Sequence, residues 1–211
     1  MKRCYIISAG TVESPGRLPI PPMDGGDIVI CADGGVKNAV KLGLKPDIIT
    51  GDFDSISLED AGKYGEPLVS SREKDETDTY LAMKQGRDLG YREFIFLGAT
   101  GGRLDHTLAN ISLLSWLHEN GAYGKIIDER SIIFLMYPPG GTLNREAGYK
   151  LSLFPLYESV ENIVLKGLKY QIKPKRLVHS FPLGISNEFT GDEAKISFDS
   201  GVLIVIYAKD L

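Results

Sequence analysis

Asp52 and Asp54 stand two residues apart in Gly51-Asp52-Phe53-Asp54-Ser55, directly after the apolar run Ile48-Ile49-Thr50. In extended chain, residues i and i+2 point to the same side. Their like charges repel unless water screens them or a hard cation sits between them. A second acidic group, Asp75-Glu76-Thr77-Asp78, opens a stretch with helical spacing. Asp75 and Asp78 can share a face there, and near a helix N-terminus each contributes a few tenths to about 1 kcal/mol even without further duty. Asp33-Gly34-Gly35 and Gly101-Gly102-Arg103-Leu104-Asp105-His106 complete four polar clusters in the first half. Carboxylate oxygens without neighbouring Cys or paired His select hard cations, magnesium first among them.

Asp52 and Asp54 are the best metal-ligand candidates, and Asp33 assists directly or through water. Asp78 either orients a substrate hydroxyl or accepts its proton, and sequence leaves that choice open. The glycine pairs Gly34-Gly35 and Gly101-Gly102 stand at strand-to-helix junctions, where bare backbone can approach a phosphate chain. Neither matches GxxxxGK[ST], and no GxGxxG occurs. Arg103 adds a guanidinium fork suited to phosphoryl oxygens, and His106 can donate to a phosphate or a leaving group. His118 and His179 have no ligand-like company. With no Ser/His/Asp or Cys/His spacing that stands out, the chemistry read here is phosphoryl-type transfer by positioning and charge.

The elements that must position these groups alternate. Apolar strand runs lie at Arg3–Ser8, Asp27–Ala32, Ile48–Thr50, Pro67–Val69, Glu93–Leu97 and Gly124–Asp128. Helical spacing follows at 36–42, Thr77–Leu89 and Leu104–Leu117, with a short helix expected at 56–63 and a proline-rich loop at 11–26. This predicts an α/β domain with a mostly parallel, Rossmann-like sheet over residues 1–130. In such a sheet, loops at the carboxyl ends of strands converge on one crevice, so the four clusters meet. After residue 130 the pattern becomes short β runs at Ser131–Met136, Lys150–Phe154, Asn162–Leu165, Leu168–Tyr170, Ala194–Phe198 and Leu203–Tyr207. Residues 131–211 therefore read as an all-β sandwich or small barrel. There Tyr170 can stack on a flat ring, and Ser186 and Asn187 offer hydrogen bonds. Lys173, Lys175 and Arg176 read as a solvated face.

The 211 residues are 43% hydrophobic, enough for a sizeable core, and the formal net charge is −4. The excess acid lies in residues 1–125, which argues against a nucleic-acid backbone binder and calls for a divalent mediator if the substrate is anionic. Cys4 and Cys31, both in strand runs, read as buried small hydrophobes. With no apolar run of eighteen and no secretory leader pattern, the expected location is the cytoplasm, with no membrane partner.

The ordered motifs Ala32-Asp33-Gly34-Gly35, Pro46-Asp47 to Ser55, Asp75-Glu76-Thr77-Asp78, Gly98 to Asn110 and Gly184-Ile185-Ser186-Asn187-Glu188-Phe189 together resemble the thiamine pyrophosphokinase (thiamine diphosphokinase) family in its compact bacterial form. The resemblance implies an ATP-binding catalytic α/β domain, a β-sandwich domain for thiamine binding and dimerisation, and a homodimer. It implies magnesium-dependent transfer of the β,γ-pyrophosphoryl group of ATP to the thiamine hydroxyl. Under it Asp52, Asp54, Asp78 and Asp105 become metal-site and catalytic carboxylates, with Arg103 beside them. Asp33, Gly34, Gly35, Asp75, Thr77, Gly101, Gly102, Arg103 and His106 fall on the nucleotide, and Tyr170, Ser186 and Asn187 on thiamine. Two departures are Tyr170, where eukaryotic members often carry tryptophan, and Lys74, where some carry glutamine. A pyrophosphokinase for another ring-bearing alcohol, a phosphoester hydrolase and a nucleotide-binding protein without turnover are the competing readings.

Overall fold

The computed structural model describes residues 2–51, 62–64, 66–69, 75–172 and 175–210. Asp52, Asp54, Lys74, Lys173 and most of the helix expected at 56–63 lie outside them. The chain forms two compact units, Met1–Glu129 and Arg130–Leu211.

In the first unit, strands β1 (Arg3–Ile7), β2 (Ile28–Ala32), β3 (Ile48–Gly51), β4 (Glu66–Val69), β5 (Glu93–Leu97) and β6 (Tyr123–Ile127) alternate with helices α1 (Gly35–Lys41), α2 (Asp78–Asp88) and α3 (Leu104–Glu119). The strands lie in the order β4-β3-β2-β1-β5-β6, and every pair is parallel. Parallel strands covered on both faces read as unbroken apolar runs rather than alternating ones. Cys-Tyr-Ile-Ile in β1 and Phe-Ile-Phe-Leu in β5 are such runs, and all eight residues are buried. Phe94 and Phe96 alternate onto one face, with ring centroids 6.4 Å apart, and burial of each contributes about 1.5–3 kcal/mol. The expected helix at Thr77–Leu89 is α2 with its caps included, since Thr77 is the N-cap and Leu89 the C-cap. Gly90 follows at φ 95°, the left-handed position that ends many helices.

Cys4 and Cys31 are buried, unbridged thiols. Burial disfavours the thiolate, helped by the Asp47 carboxylate, and pushes Cys31 up to about 12 and Cys4 further still. Since the thiolate is the reactive form, neither cysteine is expected to react with an aromatic disulfide reagent at pH 8 in the native protein. Both should react at once in denaturant. Stoichiometric labelling of the folded chain would contradict this.

In the second unit every strand pairing is antiparallel. Strands β7 (Ser131–Met136), β14 (Leu203–Ala208) and β9 (Lys150–Pro155) lie side by side, as do β10 (Ser159–Glu161) with β12 (Arg176–Val178), and β11 (Val164–Lys166), β13 (Glu193–Ser197) and β8 (Gly140–Asn144). One core joins them, with Leu151, Val160, Leu177, Ile196, Leu203 and Val205 at its centre. Strands β8, β10 and β12 escape sequence reading because they are short and carry glycine or charge. The expected strand at Leu168–Tyr170 is only a single bridge, Leu168 to Phe189. That expected at Asn162 starts two residues later, because Asn162 takes φ 55°. Arg176, read as part of a solvated face, sits in β12 with Nε 2.7 Å from Glu161. Among the described residues no helix is long and apolar enough to cross a membrane.

Candidate active site

The chain lays β2, β3 and β4 on one side of β1, then returns to place β5 on its other side. Connections leaving β1 and β5 therefore diverge, and a crevice opens beyond their carboxyl ends. It has a volume of about 520 Å³, and its walls are Ser8-Ala9-Gly10, Ala32-Asp33, Thr77-Asp78-Thr79, Gly98-Ala99-Thr100, and the start of α3 with Gly102, Arg103, His106, Thr107 and Asn110.

Asp33 reaches this crevice from the end of β2 in a left-handed conformation, φ 44°, uncommon outside glycine. The strain is held in place. Its N–H donates to the Thr50 carbonyl at 2.7 Å, and a side chain on Gly51 would come 2.9 Å from Asp33 Cβ. Asp33 Oδ1 is buried, with no hydrogen-bond partner among the described residues. A buried acceptor without a partner costs about 1–3 kcal/mol, and a bound cation or donor would offset it.

Asp78 enters on the first turn of α2. The Thr77 hydroxyl accepts from Tyr80 N–H at 3.2 Å and fixes the start of the helix. Ser8 and Thr79 hydroxyls, 3.0 Å apart and buried, tie that start to the end of β1. The N-cap of α3 is Arg103, which makes no side-chain cap; within the first turn the His106 N–H donates to Asp105 Oδ1 at 3.0 Å. Arg103 instead grips Asp105, Nε to Oδ1 at 3.1 Å and Nη2 to Oδ2 at 2.5 Å. The Arg103 hydrogen bond holds the Asp105 carboxyl below the usual carboxylate range, and the arginine is raised in turn.

The sequence comparisons fit this geometry. The description "Thiamin pyrophosphokinase, catalytic domain" matches residues 23–124, and "Thiamin pyrophosphokinase, vitamin B1 binding domain" matches residues 142–203. The chain belongs to the thiamine pyrophosphokinase family. It is 30% identical over 220 residues to the thiamine pyrophosphokinase of Bacillus subtilis strain 168, with both chains covered completely. The crystal structure of a Bacillus subtilis thiamine pyrophosphokinase superposes with a TM-score of 0.85 at 26% identity, covering 99% of this chain and 100% of that one. A family protein from Enterococcus faecalis gives 0.82 at 29% identity, with 99% and 100% covered. As a thiamine pyrophosphokinase family member, the chain is an enzyme of that type.

Within this thiamine pyrophosphokinase fold, Asp33, Thr77, Asp78, Gly102, Arg103 and His106 share the crevice. Asp105 and Asp75 are exposed and do not line it. Gly101, at φ 76°, receives the Thr11 hydroxyl on its carbonyl at 2.5 Å. Gly34 faces a neighbouring groove. Gly35 is the buried first residue of α1, where a side chain would come 2.0 Å from the Ile7 carbonyl oxygen. Among the described residues no three His, Cys, Asp or Glu gather as a metal cluster, and Asp52 and Asp54 fall outside them. In the second unit, Tyr170 is exposed and lies under Lys169, Nζ 5.3 Å from the ring centroid. Asn187 is buried, accepting from Tyr170 N–H at 3.0 Å and donating to the Tyr170 carbonyl at 2.7 Å. It thereby holds the backbone that presents Tyr170. Ser186 is exposed at φ 55°.

Sequence reading missed the amides that shape the crevice floor. Asn38 on α1 donates to the carbonyls of Ser8 at 2.8 Å and Gly10 at 2.7 Å. Asn110 on α3, noted only as the end of a motif, donates to the Ala99 carbonyl at 2.8 Å. A polar residue inside a helical pattern is the available signal, since a buried amide needs partners.

Proposed function

We propose that the enzyme transfers the β,γ-pyrophosphoryl group of ATP to the hydroxyl of thiamine, giving thiamine diphosphate and AMP, with Mg²⁺ as its metal. The observation that carries this reading is the buried Asp33 oxygen, unpartnered among the described residues, on a residue that shares its crevice with Asp78, Arg103 and His106. The carboxylates supply hard oxygen donors, which suits magnesium. Asp33 and Asp78, with Asp52, Asp54 and, by resemblance, Asp105, would hold the ion; when bound it offsets charge on phosphoryl oxygens. Arg103, His106 and the positive N-terminal end of α3 bind the polyphosphate and oppose its charge. Asp78 orients the acceptor hydroxyl and takes its proton, while Thr77 and the Ser8–Thr79 pair keep Asp78 in place.

In the same reading residues 1–130 are the ATP-binding catalytic domain. Residues 131–211 form the thiamine-binding β-sandwich, presenting Tyr170 and Ser186 to the ring with Asn187 as support. The enzyme is a cytoplasmic homodimer without nucleic-acid or membrane partners. Incubated with ATP, Mg²⁺ and thiamine, it should yield AMP and thiamine diphosphate in equal amounts, resolved by mass, and none after chelation of divalent ions. Pyrophosphate or phosphate release without thiamine would make it a hydrolase, and preference for another alcohol would change the acceptor.

A further inference from the structure

The connection from β5 to α3, Gly98-Ala99-Thr100-Gly101-Gly102, has four successive carbonyls that each accept from the protein itself. Gly98 takes the Gly10 N–H at 2.7 Å, and Thr100 takes the Thr11 N–H at 3.2 Å. Ala99 takes the Asn110 amide at 2.8 Å, and Gly101 takes the Thr11 hydroxyl at 2.5 Å. The Thr100 hydroxyl is engaged as well, donating to Asp128 Oδ2 at 2.8 Å. Gly98, Ala99, Thr100 and Gly102 line the crevice. A carbonyl oxygen aimed at a phosphoryl oxygen repels it, whereas a backbone N–H attracts it. Which way these peptides face therefore matters to a polyphosphate.

The four bonds are unequal. Gly98 and Thr100 are held by main chain, and Ala99 by a buried amide. Gly101 is held by an exposed side-chain hydroxyl, from a residue that reads in sequence only as the start of a proline-rich loop. Its peptide with Gly102 has glycine on both sides. Gly101 takes φ 76°, while Gly102 stands outside the left-handed region. Apart from its chain neighbours, a side chain built on Gly102 would meet only Gly10 Cα within 4 Å, at 3.9 Å. Steric resistance to turning this peptide over is therefore small. Such a flip changes ψ of Gly101 and φ of Gly102 by about 180° each and makes the second φ positive. In a trans peptide the Gly102 N–H points opposite to the Gly101 carbonyl, so it points away from Thr11.

We infer that Thr11 is a positioning residue, whose hydroxyl locks the Gly101–Gly102 peptide with its N–H, not its carbonyl, toward the crevice. The role rests on the ATP-dependent reaction proposed above. Thr11→Val keeps the side-chain shape and removes the donor, and Thr11→Ser keeps the donor. Without the lock a share of the enzyme must turn its peptide back before binding. The KM for ATP with Mg²⁺ should then rise about three- to fivefold in Thr11→Val, with kcat within about twofold, and Thr11→Ser should match the native enzyme. Alanine at position 102 resists the positive φ of the flipped state. In the Gly102→Ala background, adding Thr11→Val should therefore move KM by less than about twofold, whatever Gly102→Ala does alone. The Gly102 amide resonance reads the flip with no ligand present. Microsecond-to-millisecond exchange should appear there in Thr11→Val and not in the native or Thr11→Ser proteins. Unchanged KM with a quiet Gly102 amide in Thr11→Val would overturn the lock. So would the same rise in KM in the Gly102→Ala background, since a contact other than the flip would then be at work. Exchange at Gly102 in an enzyme whose native form makes no AMP from ATP and any acceptor would keep the lock and remove the reaction.

Discussion

Asp78→Asn is expected to remove turnover, by roughly a thousandfold or more, and to leave the fold standing. A positioned acid or base contributes about 10²–10⁴-fold, and in the reaction proposed above this carboxylate also serves the metal. Asparagine keeps the shape of the side chain but neither takes a proton at neutral pH nor brings a charge. Little stability should go with it. The α2 cap belongs to Thr77 through its bond from Tyr80 N–H, and the Ser8–Thr79 hydroxyl pair anchors the same turn. What is lost for folding is one favourable charge near a helix N-terminus, about 0.3–1 kcal/mol. AMP formation and a thermal melt on the same preparation check both halves. A variant that retains a tenth of native kcat would refute the role given to Asp78.

Gly35→Ala should give the largest loss of stability among single-methyl changes in the first unit. The new Cβ would lie 2.0 Å from the Ile7 carbonyl oxygen and 2.7 Å from its carbon. Both are main-chain atoms of a fully buried strand, so no side chain can swing aside. Either α1 lifts from β1 or the strand end bends. Overpacking of this kind typically costs about 1–3 kcal/mol and occasionally more, and with backbone on both sides about 3 kcal/mol is expected. For a chain of this length that lowers Tm by about 6–12 °C. Lifting α1 also draws Asn38 away from the Ser8 and Gly10 carbonyls, so activity should fall even below the melting range. A melt within 2 °C of native (~0.5–1 kcal/mol at this length) would show that the helix has room to yield.

Legibility in the sequence followed the strength of the local physical signal. Buried parallel strands announce themselves as apolar runs, and α2 carries a Thr77 cap, an acidic first turn and a glycine just past its end. The α/β half could therefore be read element by element. The short strands β8, β10 and β12 have no run long enough to show a period, and their pairing depends on distant partners. The acidic and glycine clusters were readable as a candidate site because they follow strand ends in sequence, and Asp33, Thr77, Asp78, Gly102, Arg103 and His106 do line one crevice. Their division of labour was not. Gly35 reads on paper like Gly34, yet one is sealed between helix and strand while the other faces a groove. Asn38 acts on the Ser8 and Gly10 carbonyls just past β1, 30 and 28 residues away, a relation no spacing rule encodes.

The pairing of β1 with β5 carries a consequence for how the enzyme is made. Thr11 and Gly101, which meet just beyond that pair, are 90 residues apart along the chain. Closing so long a loop is entropically slow. On the ribosome, β1 must wait beside β2 until β5 has emerged, and its outer edge is unsatisfied for that interval. The crevice is created by the same late pairing that seals this edge, so a chain stalled before β5 has neither a finished sheet nor a place for its nucleotide.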